Sequence, residues 1–210
     1  MTPHALPAPL SASPAPLDLA ALLGPAAWAR LPAAVRRRFA AGHAEALYRG
    51  ELSLRCSRIG RLFAWASRCF KGPLTTLRAS HLPATVRVAP DGQGGVVWER
   101  WIGSGPDATC VCSTKELGPH GGLVERTVGG LGMALDLFEQ DGALVFQSRR
   151  YFLAWRGLRL PLPNWASPGV CRVSHQDLGG GRFRFSLAMT HPLWGETFHQ
   201  TGVFADPEEA

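Results

Sequence analysis

From Val96 to Phe204 the chain alternates apolar and polar residues in segment after segment: VVWERWIG, LGMALDLFEQDGALVFQSRRYFLAW and RFRFSLAMTHPLWGETFHQTGVF. A repeat of two, broken by the turn formers PDGQGG, GSGPD, GPHGG, QDG and DLGGG, is the pattern of antiparallel strands. It predicts strands near Ala84–Val88, Val96–Ile102, Thr109–Lys115, Leu123–Val128, Leu131–Phe138, Ala143–Trp155, Gly169–His175, Arg182–Thr190 and Thr197–Phe204. An earlier strand is read in YRGELSLRCS, with Leu52, Leu54 and Cys56 on one face and Glu51, Ser53 and Arg55 on the other. Later, Phe183, Phe185, Leu187 and Met189 form an apolar face from which Arg182 and Arg184 point away. Such a meander must hide its apolar face, and roughly ten strands exceed what a flat sheet holds without curling or closing.

Two helical patterns precede the meander. Between about Leu19 and Glu45, Leu31, Val35 and Phe39 recur every four residues, and Arg36, Arg37 and Arg38 are expected on the opposite, solvated face. Directly after the first strand, RIGRLFAWASRCF puts Ile59, Leu62, Phe63, Ala66 and Phe70 opposite Arg58, Arg61 and Arg68, with Trp65 at the boundary. This short amphipathic helix, Arg58–Arg68, is read as a plug or lid of the barrel mouth, and a basic helix bearing a tryptophan also suits peripheral membrane contact. LRLPLPNWASP is a proline-bound excursion expected to cross one end of the sheet. The fold class is thus mainly β: an antiparallel meander closed or strongly curved into a lipocalin-like barrel, with an N-terminal helix and a short amphipathic helix after the first strand. A two-sheet sandwich is the alternative. Residues 1–16, rich in Pro, Ala and Ser, are expected to be a disordered leader, 17–205 a single β-rich domain and 206–210 a tail.

Composition narrows the picture modestly. The 210 residues suit one domain, and the net charge of +6 permits an anionic partner without selecting one. The five cysteines show no CxxC or zinc spacing, and free buried thiols in a reducing, cytoplasmic compartment are expected. No apolar run approaches the ~20 residues of a transmembrane helix. Neither GxGxxG in a strand-to-helix context nor GxxxxGK[ST] occurs, and no HExxH or GxSxG is present, so no nucleotide cofactor, metal or nucleophile is expected. The aromatics fall in apolar phase rather than on a basic stacking surface, which speaks against nucleic acid.

The most specific local feature is WERW. Trp98 and Arg100 share a face with Val96 and Ile102. If that face points inward, Arg100 is a buried guanidinium beside an indole and needs an anionic partner. A ligand carboxylate would serve, and so would Glu125, in apolar phase with Leu123 and Thr127. Arg150, in phase with Leu144, Phe146 and Phe152, is a second candidate internal cation, or else a strand-end residue reaching solvent. The ligand-binding set is therefore Trp98 and Arg100 as anchor, with Glu125 and Arg150 as polar supports. The expected function is binding of a small hydrophobic or lipid-like acidic molecule in the barrel interior. The alternatives are a cofactor-independent proton-transfer enzyme, with Glu125 as base and Arg100 as oxyanion partner, or an accessory protein with no pocket.

Several short pieces carry a family likeness in order: LPAAVRRRF, the W-x-R of Trp98 and Arg100, GLVER at Gly122–Arg126, and a hairpin centred on Gly142. GLRLPLP at Gly157–Pro163, the P-x-x-G of Pro192 and Gly195, and Gly202 follow. Together, over about Ala21 to Phe204, the chain resembles the bacterial domain of unknown function 4166 family. That resemblance implies no established reaction. It does imply a reductase partner, because such domains occur alone or C-terminal to saccharopine-dehydrogenase-like reductases. Phe39 stands where the family tends to carry His, and His199–Gln200 where it tends to carry Tyr–Arg, so those positions are not carried over as functional.

Overall fold

The computed structural model describes residues 15–42, 45–70, 72 and 74–207. Residues 1–14 of the expected leader and 208–210 of the expected tail lie outside the described residues. The elements run α1 (Leu19–Leu23), α2 (Pro25–Arg30), α3 (Ala33–Phe39), β1 (Ala46–Cys56), α4 (Arg58–Ser67), β2 (Ala79–Pro90), β3 (Val96–Ile102), β4 (Thr109–Leu117) and β5 (Leu123–Arg126). They continue with β6 (Leu131–Gln140), β7 (Ala143–Trp155), β8 (Leu158–Pro161), β9 (Val170–Gly179), β10 (Arg182–His191) and β11 (Gly195–Ala205).

Every strand pairs antiparallel with its neighbours, and the ring β1-β2-β3-β4-β5-β6-β7-β9-β10-β11 returns to β1. The protein is a closed ten-stranded antiparallel barrel rather than a sandwich. Strand β8 stands outside the ring, paired with the last residues of β7 where β9 no longer reaches. The excursion after Trp155 thus contains a short strand, Leu158–Pro161, that its prolines hid from the alternation. The first and last strands meet through two glycines. A Cβ on Gly202 would come within 2.3 Å of the Glu51 carbonyl, and one on Gly50 within 2.1 Å of the Val203 carbonyl. Their bare Cα atoms let β1 and β11 approach closely enough to close the ring.

The N-terminal helical pattern is broken into three pieces. Asp18 caps α1 by accepting from the Ala21 amide at 3.0 Å. Gly24, at φ 84, then ends α1, and Pro32 holds Leu31 extended at ψ 141 before α3 begins. Of the three arginines on α3 Arg37 alone is exposed; Arg36 is half-buried, and Arg38 turns into the barrel end, its side chain 5% exposed. There it donates to Asp177 at 2.9 Å and to Asp206 at 2.8 Å, tying α3 to β9 and to the residues after β11. Two half-buried carboxylates outbid solvent for this guanidinium.

α4 closes the opposite end. Ser57 caps it, accepting from the Gly60 amide at 3.0 Å. Gly60, Ala64 and Ser67 form its buried face, and a Cβ at Gly60 would lie 2.2 Å from the Thr197 carbonyl. The periodicity assigned Leu62 to the buried side, yet it is exposed. Close approach of the helix backbone to β11 selects the small residues for contact and turns the larger ones outward. Of the cysteines, all free, Cys56 and Cys171 are buried whereas Cys69 and Cys110 are exposed, so the expectation of buried thiols holds for part of the set. No helix among the described residues is long and apolar enough to cross a membrane.

Candidate functional site

The barrel interior is not filled. A central cavity of about 70 Å³ is walled by Trp98 and Arg100 from β3, Ser113 and Lys115 from β4, Glu125 from β5, His175 from β9 and Phe185 from β10. It shares Trp98 and Lys115 with a cavity of about 340 Å³ towards α3. It also shares Ser113, Glu125 and Met133 with one of about 160 Å³ towards α4, lined chiefly by Phe63, Phe70, Leu131, Tyr151 and Ala166. A band of charge therefore crosses the middle of an otherwise apolar interior.

Strand alternation builds that band. Trp98, Arg100 and Ile102 point inward from β3, as the WERW reading requires, and Val111, Ser113 and Lys115 do the same from β4. In register, Lys115 lies directly opposite Glu125 on β5. Its ammonium is 3.1 Å from one carboxylate oxygen, and the Ser113 hydroxyl donates to the other at 2.6 Å. The ammonium also sits over the Trp98 ring at 4.7 Å and the Phe146 ring at 5.3 Å. Burial would raise the Glu125 pKa, but Lys115, the Ser113 hydroxyl and Arg100 together outweigh it and hold the carboxyl below its ordinary value.

Arg100 is placed differently. It has no ion pair and no side-chain hydrogen bond among the described residues, and its Nε is fully buried without a partner. Its guanidinium reaches across the cavity to lie 5.7 Å from the Phe185 ring centroid. Burial lowers its pKa from the ordinary arginine value, against the pull of Glu125, but a guanidinium stays charged in either case. Beside it, Trp98 Nε1 and Gln200 Oε1 are likewise buried without partners. Lys115 and Glu125 cancel, so Arg100 leaves one uncompensated positive charge in the band.

His175 completes the wall within an aromatic cage, its ring centroid 4.9 Å from Phe39, 5.4 Å from Phe185 and 5.7 Å from Trp98. Burial first, then the charges of Lys115, Arg38 and Arg100, push its pKa down to about 3, so it is a neutral imidazole. Burial and then Glu125 drive Cys171 up to about 12, which keeps it a thiol rather than a nucleophilic thiolate. Tyr151 is held as a phenol well above its usual range, mainly by burial, and donates to the Gly169 carbonyl at 2.9 Å.

The structure brings Trp98, Arg100 and Glu125 together, but Arg150 is exposed and does not line the cavity. The cause is a bulge. Ala134 pairs with Arg150 and Leu135 with Ser148, so Arg149 is an extra residue and the alternation of β7 reverses beyond it. Tyr151 faces the interior in Arg150's stead. Glu125 is not Arg100's partner either, because Lys115 holds it. Lys115, His175 and Arg38 were missed as site residues. For the first two a signal existed: Lys115 is in phase with Val111 and Ser113, and His175 with Cys171 and Val173. Among the described residues no group of three or more His, Cys, Asp or Glu side chains gathers to hold a metal.

No curated protein and no solved structure matches the chain. A family model does: from Leu31, just ahead of α3, to Phe204 in β11, thus over the barrel and the helix that enters it, the chain matches the family described as Domain of unknown function (DUF4166), and it belongs to that family.

Proposed function

We propose that the barrel binds a small amphipathic acid, its carboxylate beside Arg100 and Trp98 and its apolar chain in the cavity towards α4. The observation that carries this reading is the unpartnered, charged Arg100 facing an interior cavity. A buried guanidinium with no partner costs several kcal/mol, which a bidentate carboxylate offsets. The central cavity has room for about five water-sized groups, enough for a carboxylate and its first methylenes. The neighbouring cavity offers Leu131, Met133, Phe63 and Phe70 to the rest of the chain.

Two features weigh against catalysis. A general base works best near the operating pH, yet Glu125 is held below its ordinary range and both its oxygens are engaged. Cys171 and His175 are pushed away from reactive forms. An accessory protein without a pocket would have a packed interior, with Arg100 saturated by Glu125; neither condition holds here.

The test is displacement of 1-anilinonaphthalene-8-sulfonate by palmitate and by hexadecanol, its uncharged counterpart. Palmitate is expected to compete at least about tenfold better, the yield of a charged hydrogen-bonding pair. Arg100→Met should erase that preference, while Arg150→Ala should keep it. Equal competition by acid and alcohol in the unmodified protein, or a preference that survives Arg100→Met, sinks the reading.

A further inference from the structure

The two ends of the barrel differ in what they show to the outside. Among the described residues, every large apolar side chain more than half exposed lies at the α4 end. Leu62 and Trp65, the latter 67% exposed, project from α4. Val128 at 72% tips the β5–β6 turn, and Leu193 at 77% tips the β10–β11 turn. Trp155 stands on the β7–β8 hairpin, and Trp165 at 70% on the turn that follows it.

Contacts seat these tips around one rim. The Thr127 hydroxyl donates to the Phe70 carbonyl at 3.3 Å, joining the β5–β6 turn to the segment after α4. Phe63 of α4 packs 5.7 Å from Trp194, next to Leu193. The Thr197 hydroxyl donates to the Pro168 carbonyl, which fixes the excursion to β11.

Charge on the same rim is mostly positive; its acidic residues are Glu196 at the start of β11, paired with Arg55 at 3.4 Å, and Asp107 in the β3–β4 turn. The stretches 58–70, 127–130, 155–165 and 192–195 hold five arginines, Arg58, Arg61, Arg68, Arg156 and Arg159, and no Asp or Glu. All five are exposed, and none is in an ion pair among the described residues.

We infer that this end docks on an anionic lipid bilayer, with the tryptophan and leucine tips in the interface and the arginines against lipid headgroups. Tryptophan set among basic residues is the composition that binds at a membrane–water interface. Apolar tips on separate turns suit a fluid surface that takes each one independently. A second copy fits poorly, because a two-fold contact would set like arginines against one another. The inference is independent of what the barrel holds and stands or falls separately from acid binding.

Flotation of the whole chain with phosphatidylcholine vesicles, and with the same vesicles containing phosphatidylglycerol, tests it. Association with the anionic vesicles is expected to be at least about tenfold stronger and to weaken with added salt. The pairs Trp65→Ser with Trp165→Ser, and Arg58→Gln with Arg61→Gln, should each lower it about tenfold while circular dichroism stays unchanged. No association with anionic vesicles overturns the inference, as does association that both pairs leave intact. Dimers in solution that the tryptophan pair dissolves would also overturn it, because a second copy would then own the face.

Discussion

Lys115 and Glu125 face each other across β4 and β5 as register partners, with 3.1 Å between ammonium and carboxylate. Among the described residues that line the band Glu125 is the only carboxylate, and its charge also acts on an Arg100 that it does not touch. Removing the carboxylate would leave two buried cations side by side. Glu125→Gln is therefore expected to cost about 3–5 kcal/mol in urea unfolding, the scale of a broken buried pair. Adding Arg100→Met to that variant should recover part of the loss, because one uncompensated charge disappears. A double variant no more stable than Glu125→Gln alone would show that Arg100 is not strained by its surroundings.

Acid should unfold the protein through His175 and Glu125 together. His175 has a folded pKa of about 3, below the ~6.5 of an unfolded chain. Between these values the unfolded chain takes up a proton that the fold excludes, so stability is full above about pH 6.5 and drains away as pH falls towards 3. Glu125, also depressed, keeps its contribution above its unfolded value near 4.3 and loses it below. Urea midpoints are expected to fall by the equivalent of several kcal/mol from roughly pH 7 to pH 4. His175→Phe should flatten the upper part of that slope; an unchanged slope would mean that other groups carry it.

Gly202 is, with Gly50, one of two close approaches in the seam between the first and last strands. A Cβ there meets the Glu51 carbonyl at 2.3 Å, so Gly202→Ala must push β1 and β11 apart. A loss of about 1–3 kcal/mol in urea unfolding is expected. Val203→Ala, one residue on and pointing outward, should change stability far less. Equal effects from the two would place the strain elsewhere.

Much of the barrel was legible from alternation alone because an inward or outward phase is a local property of a strand. Val96, Trp98, Arg100 and Ile102 needed no neighbour to declare their common face, and the inward Glu125 was legible in the same way. Arg150 was misassigned because one extra residue, Arg149, reverses the phase of β7, and a bulge leaves no mark on composition. Leu62 was misassigned because the depth to which α4 settles depends on the bare Cα of Gly60 against β11, a contact across some 137 residues of chain, from 60 to 197.

By itself, then, the sequence determined the strands, their faces and the presence of cations inside, because a period of two and the cost of exposing apolar surface act residue by residue. The tertiary structure decided which cation is paired and which is free. Closing the ring sets Lys115 opposite Glu125, leaves Arg100 facing a cavity, and collects the exposed tryptophans of distant segments on one rim. Those relations depend on register and closure between strands far apart in the chain, and no local pattern encodes them.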